Sequence, residues 1–184
     1  YNYTPVASGD AVLFNDQRPR IVTEKVLGVT VAKTYRAYIT NAVRELMEVE
    51  EKCVSGNASY GDTNNLRTVK TYYGTNTLNH KIGRLKSMQY PDGRLNSYDY
   101  EYGTYHVSTN PALCWFEPDP DGEAWRVTVI HGTVGNPDGI ANRTVKEIKA
   151  LDSYSQEVLD ETRVFTGGTN YERIAWSVRE FDDF

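Results

Sequence analysis

Cysteine and methionine are nearly absent, at two residues each in 184. With only Cys53 and Cys114, the chain is no disulfide scaffold; it can form one bridge at most, and a possible Cys53–Cys114 pair leaves the redox compartment open. Basic charge is also scarce. Lys plus Arg number 20 against 25 Asp plus Glu, a net charge of −5, which is the wrong sign for neutralising phosphates, so no nucleic-acid partner is expected. No apolar run approaches the roughly 18 residues that a spanning helix needs, and no basic-then-apolar leader opens the sequence. A membrane span is therefore not expected. His80, His106 and His131 are the only histidines. None stands at i, i+4 or within a Cys-x-x-Cys pattern, so they read as turn or sheet-surface residues and no metal site is expected. Gly132, Gly135 and Gly139 lack the spacing and the following helix of a phosphate cradle. No cofactor is implied.

What is present points to β structure. Fourteen Tyr, 14 Gly and many Val and Thr favour half-buried pleated strands joined by tight turns, in a chain long enough to bury a core. Turn chemistry recurs at Ser8-Gly9-Asp10, Ser55-Gly56-Asn57, Pro91-Asp92-Gly93, Pro120-Asp121-Gly122, Asn136-Pro137-Asp138-Gly139 and Gly167-Gly168-Thr169. Between these turns the strands are expected to be short and to pair as an antiparallel meander. "RIVTEKVLGVTVAKTYRAYI" reads as two strands or one bent strand, broken most cheaply at Gly28. "LRTVKTYY", "RLKSMQY", "RLNSYDYEY" and "WRVTVIHG" alternate partly, as hairpin strands with one solvated face do. Two stretches are ambiguous. Val43 to Val54 spaces its apolar residues as a helix does, and Arg143 to Leu151 suits either a helix or a strand.

The most specific run is "GRLKSMQYPDGRLNSYDYEYG", Gly83 to Gly103. Two strand-like pieces flank Pro91-Asp92-Gly93, and each opens on Arg-Leu with a ten-residue offset, the length of one strand plus one turn. Proline presets φ, aspartate bonds its own backbone and glycine accepts φ > 0, so the chain reverses tightly there. The residues Gly83-Arg84-Leu85, Tyr90-Pro91-Asp92-Gly93, Arg94-Leu95 and Tyr98-Asp99-Tyr100 resemble the RHS/YD-repeat family. The likeness weakens at "LRTVKTYY" and returns in "RIAWSVREFDDF", while "DPDGEAW" repeats the turn without the Gly-Arg-Leu opening and residues 1–52 align with no motif.

The resemblance implies an all-β segment of a spiralling sheet that, in bacterial toxins and teneurin-like surface proteins, closes into a hollow shell. Residues 1–184 would be a single repeat-like segment, a fragment of a longer chain whose abrupt start at Tyr1 and stop after "VREFDDF" fit excision or cleavage. Its partners would be neighbouring repeats of the same parent chain and a possible enclosed cargo domain. Its place would be secreted or at the cell surface, in a bacterium. The resemblance also implies a charged strand over 43–54 in place of the helix.

Other chemistry is weaker. Glu117, Asp119, Asp121 and Glu123 could start a hydrolase or a calcium site, but no partner acid is placed at a catalytic separation and the EF-hand order is absent. They read as a solvated acidic turn. Cys53 has no motif of a thiol nucleophile around it. The "DPDGEA" run lacks the leucine and the upstream partner of the self-cleaving RHS motif, so autoproteolysis is not implied. Glycosylation-type triplets at Asn2, Asn57 and Asn142 are short enough to arise by chance. Trp115, Phe116, Trp125 and Trp176 could stack on sugar rings, although tyrosine-rich strands gain the same aromatics from cross-strand packing alone. The expectation is a non-catalytic structural segment; the alternative is a free-standing extracellular adhesion or glycan-binding β-sandwich.

Overall fold

The computed structural model describes residues 21–40, 44–135, 145–168 and 170–181. Among them the chain is all-β, with eleven antiparallel strands. The Ser8, Asn136 and Thr169 turn positions, the Asn2 and Asn142 triplets and Gly139 lie outside the described residues. Two compact units divide the chain at Gly93 and Arg94.

In the first unit, β1 (Ile21–Val26), β2 (Val29–Thr40), β3 (Leu46–Lys52), β4 (Leu66–Tyr72) and β5 (Leu85–Gln89) pair each with the next. The β1–β2 reversal is a two-residue turn at Leu27 and Gly28, both at positive φ (49° and 82°), as the right-handed twist of a hairpin demands. The ambiguous 43–54 stretch contains a strand, as the repeat resemblance implies, and not the helix its spacing suggests. Tertiary pairing decides this: Val49 lies between Ala37 and Val69 in register, and all three are buried together. Burying each of the two valines contributes about 1.5–3 kcal/mol. The next residue along, Glu50, turns to the other face and meets Arg36 at 3.0 Å. That face carries a charged ladder in which Tyr38 and Tyr72 both donate to the Glu48 carboxylate.

The second unit comprises β6 (Arg94–His106), β7 (Trp115–Pro118), β8 (Ala124–Thr133), β9 (Val145–Leu151), β10 (Glu157–Gly167) and β11 (Asn170–Val178). The strand order is β6-β8-β9-β10-β11. β8 takes β6 from Arg94 to Gly103, and β7 takes it from Gly103 to His106. The strands are not all short, contrary to what the turn spacing suggests: β6, β8 and β10 run to 13, 10 and 11 residues. The second ambiguous stretch likewise contains a strand, β9, with Ile148 buried between Thr128 and Glu161. The strand-like "VREFDDF" ends early: β11 stops at Val178, with one further backbone bond from the Arg179 N–H to the Val158 carbonyl of β10 at 3.0 Å.

The core of this unit gathers Phe116, Ala124, Ala150, Val158 and Leu159, with Tyr105 and Val178 against it. Gly103 makes it possible, since a Cβ there would overlap the Glu117 carbonyl and the Phe116 ring. A single 3-10 turn, Pro111–Leu113, capped by the Asn110 side chain, brings Cys114 under the same cover.

Candidate functional site

The repeat motif occupies a strand, a turn and the next strand. Leu85 opens β5, Tyr90 to Gly93 reverse the chain, and Arg94-Leu95 open β6. The Tyr90 carbonyl accepts from the Gly93 N–H at 3.1 Å, and Gly93 sits at φ 85°, the role its lack of a Cβ suits. Gly83 and Arg84 close the preceding loop: Gly83 N–H donates to the Tyr73 carbonyl and Tyr73 N–H to the Arg84 carbonyl, each at 2.9 Å. Tyr98, Asp99 and Tyr100 lie within β6, opposite Val129, Thr128 and Val127 of β8. Pro120-Asp121-Gly122 makes the same kind of reversal, with Gly122 N–H donating to Asp119 O at 3.0 Å.

Each unit holds one buried glutamate that sequence patterning did not single out. Glu51 is 1 % exposed. Its Oε1 accepts from the Gly61 N–H and from Asn65 Nδ2, both at 2.7 Å, while Arg67 stands 3.8 Å from Oε2. Asn65 also donates to the Ser59 carbonyl, so the carboxylate pins the β3–β4 connection onto the sheet. Glu161 is 2 % exposed and is held by Arg163 at 2.6 Å and by Arg173. Arg173 continues to the carbonyls of Ala112 and Cys114, tying the 3-10 turn to β11. The only sequence signal for either was a charge at an inward strand position. Both networks are anchors; every atom of each that is named here already has a partner.

Cys53 and Cys114, weighed as a bridge, are free thiols, one in each unit. Each is satisfied locally, Cys114 against the Ser108 backbone and Cys53 against the Ala58 carbonyl. Burial pushes the Cys53 thiol above its ordinary 9.0 more strongly than nearby Lys33 lowers it. That is the opposite of nucleophile activation.

The four candidate sugar-stacking aromatics are not brought together. Phe116 is in the core, and Trp115, its neighbour on β7, turns to the other face and stacks on His106 with ring centroids 4.4 Å apart. Trp176 lies beneath Arg173, and Trp125 faces away from buried Ala124 on β8. Of the acidic residues, Glu117 meets His106 Nε2 at 3.0 Å and Asp119 caps its own turn through the Asp121 N–H. Of the other histidines, His131 Nδ1 meets Asn96 Oδ1 on β6 at 3.0 Å while its Nε2 lies 3.3 Å from a Glu147 oxygen on β9, and His80 lies in a turn.

The second unit also forms a cleft of about 710 Å³ between the end of β6, the β9–β10 turn and the residues after β11. Tyr105, Tyr154 and Phe181 supply its rings, and Asp152 and Glu180 its carboxylates. The turn is built by Asp152, whose Oδ1 accepts from the N–H groups of Tyr154 and Gln156 and whose carbonyl accepts from Ser155, itself at φ 64°. Burial, and then the neighbouring Cys114 thiol, raise Tyr105 well above its usual 10.0. A smaller cleft of about 400 Å³ adjoins it, sharing Tyr105 and Asp152 and adding Asp119, Asp121 and Glu123. Among the described residues no group of three or more His, Cys, Asp or Glu is placed to hold a metal ion, and no helix is long and apolar enough to cross a membrane. Comparison with family models, with curated proteins and with solved structures finds no match to this chain.

Proposed function

We propose that this chain is a non-catalytic structural segment of an RHS/YD-repeat protein, forming part of an encapsulating or surface-displayed β shell. The observation that carries the reading is the placement of the ten-residue repeat: its two Arg-Leu openings stand at the starts of the successive strands β5 and β6, with the Pro91-Asp92-Gly93 turn between them. A strand-by-strand meander supports it further, since each unit pairs almost every strand with its successor. A meander of this kind leaves terminal edges to be paired by the next repeat. Secretion or surface display in a bacterium, with a cargo domain enclosed by the parent chain, belongs to the same proposal.

The test is the mass of the native protein carrying this sequence, detected by antibody under denaturing, reducing conditions in its natural source. A band several times heavier than 20.9 kDa is the expected result. A band at 20.9 kDa overturns the shell reading and returns the chain to a free-standing adhesion or glycan-binding module.

A further inference from the structure

The β1–β2 hairpin ends on four aliphatic side chains that the fold leaves open. Leu27 is 100 % exposed, and Val26, Val29 and Val31 are exposed by 58 %, 66 % and 56 %. Pairing of β2 with β3 begins at Thr34, so the stretch from Val26 to Lys33 runs past the end of β3. Gly56 of the β3–β4 connection braces its base, lying against Thr30 and accepting from Lys33 Nζ at 3.2 Å. Folding does not call for a leucine at the tip. Its φ of 49° is strained for that side chain, and glycine, asparagine or aspartate suits such a turn position better. A strained backbone that holds an apolar side chain wholly in water points to a use outside the fold.

We propose that this tip is a shallow membrane anchor that inserts into a zwitterionic phospholipid surface. The four side chains expose roughly 300 Å² of apolar area, well below the ~800 Å² per partner of a stable protein interface. A second copy of the chain is therefore the poorer occupant, whereas a fluid acyl layer needs no matching groove to receive a convex tip. Just behind the valines, Glu24 and Lys25 are both exposed and stand side by side at a bulge. A carboxylate and an ammonium together complement the quaternary ammonium and phosphate of a choline headgroup, with the Lys25 stem lying along the apolar boundary. An anionic surface would instead repel Glu24 and the net charge of −5. Penetration is confined to the interface, on the order of 5–10 Å, because the unpaired backbone groups of the hairpin must stay hydrated. This is anchoring and not spanning, it concerns the hairpin alone, and it does not depend on the shell reading.

The test is flotation of the 184-residue chain with phosphatidylcholine vesicles at roughly 0.15 M salt. Reversible binding is expected, little changed by added salt because apolar insertion drives it, and weakened about tenfold by Leu27→Asn. A thermal midpoint that is not lowered confirms that this variant folds. A second measurement places the tip directly: in Leu27→Trp, phosphatidylcholine brominated on its acyl chains is expected to quench the added indole beyond the background of Trp115, Trp125 and Trp176, which all lie in the second unit. Absence of flotation, equal flotation of Leu27→Asn, or no added quenching in Leu27→Trp would each overturn the proposal. So would self-association that Leu27→Asn abolishes in a chain that ignores vesicles, which would assign the tip to a second copy.

Discussion

A glutamate with 1 % of its surface exposed is tolerable because its charge is met by hydrogen-bond donors and a guanidinium. At Glu51 the partners are the Gly61 N–H, Asn65 and Arg67. Glu51→Ala strands those donors beneath the β3–β4 connection and is expected to cost about 3 kcal/mol in urea unfolding; a loss under about 1 kcal/mol would show that the network anchors nothing. Tyr105 gives a pH dependence. Because the folded protein holds its phenol proton above the ordinary 10.0, the stability it contributes is complete below that pH and is lost as pH rises toward the folded value. Lys149, raised chiefly by its hydrogen bond to Glu157 and also by Asp160, acts in the same direction above 10.5. Thermal midpoints are therefore expected to fall above about pH 10, and Tyr105→Phe to make the fall shallower while leaving the Lys149 part. Identical slopes in the two proteins would refute the assignment.

Among the elements, the β1–β2 hairpin carries a visible flaw. Leu27 is fully exposed and sits at φ 49°, where a branched apolar side chain is strained and where asparagine is favoured. Leu27→Asn is expected to stabilise the first unit by about 1 kcal/mol, read as a higher thermal midpoint; a lower one would mean that Leu27 contributes a contact. The flaw was half visible beforehand, because Gly28 marked the break while nothing in the sequence assigned its neighbour a left-handed backbone. The 43–54 and 143–151 stretches show the converse. Their periodicity fits a helix, yet Val49 and Ile148 each gain buried neighbours on two adjoining strands, and packing of that kind outweighs a few tenths of a kcal/mol of helix propensity per residue.

For the molecule as a whole, the matter is where pairing stops. β11 pairs with β10 on one side, contains no proline and exposes Ile174 and Trp176, at 58 % and 46 %. An edge of that kind templates further strands. The isolated 184-residue chain is therefore expected to self-associate with rising concentration in sedimentation velocity, and Ile174→Lys to suppress this by placing a charge on the edge. A wild-type chain that stays monomeric at the highest concentration tested would count against the need for a neighbouring repeat.

The sequence by itself determined the all-β class, the reversal at Pro91 to Gly93, the break near Gly28 and the repeat offset that opens β5 and β6. These are local properties, set by φ preferences and by alternation over a few residues. Tertiary structure alone decided the rest. It chose strand over helix at Val49 and Ile148, left Cys53 and Cys114 as free, locally satisfied thiols, sent Phe116 inward and Trp115 outward, and buried Glu51 and Glu161. It also gathered Tyr105, Asp152, Tyr154 and Phe181 around one cleft. Such outcomes depend on partners tens of residues away, and no window of sequence contains the neighbour that neutralises a charge or covers a ring.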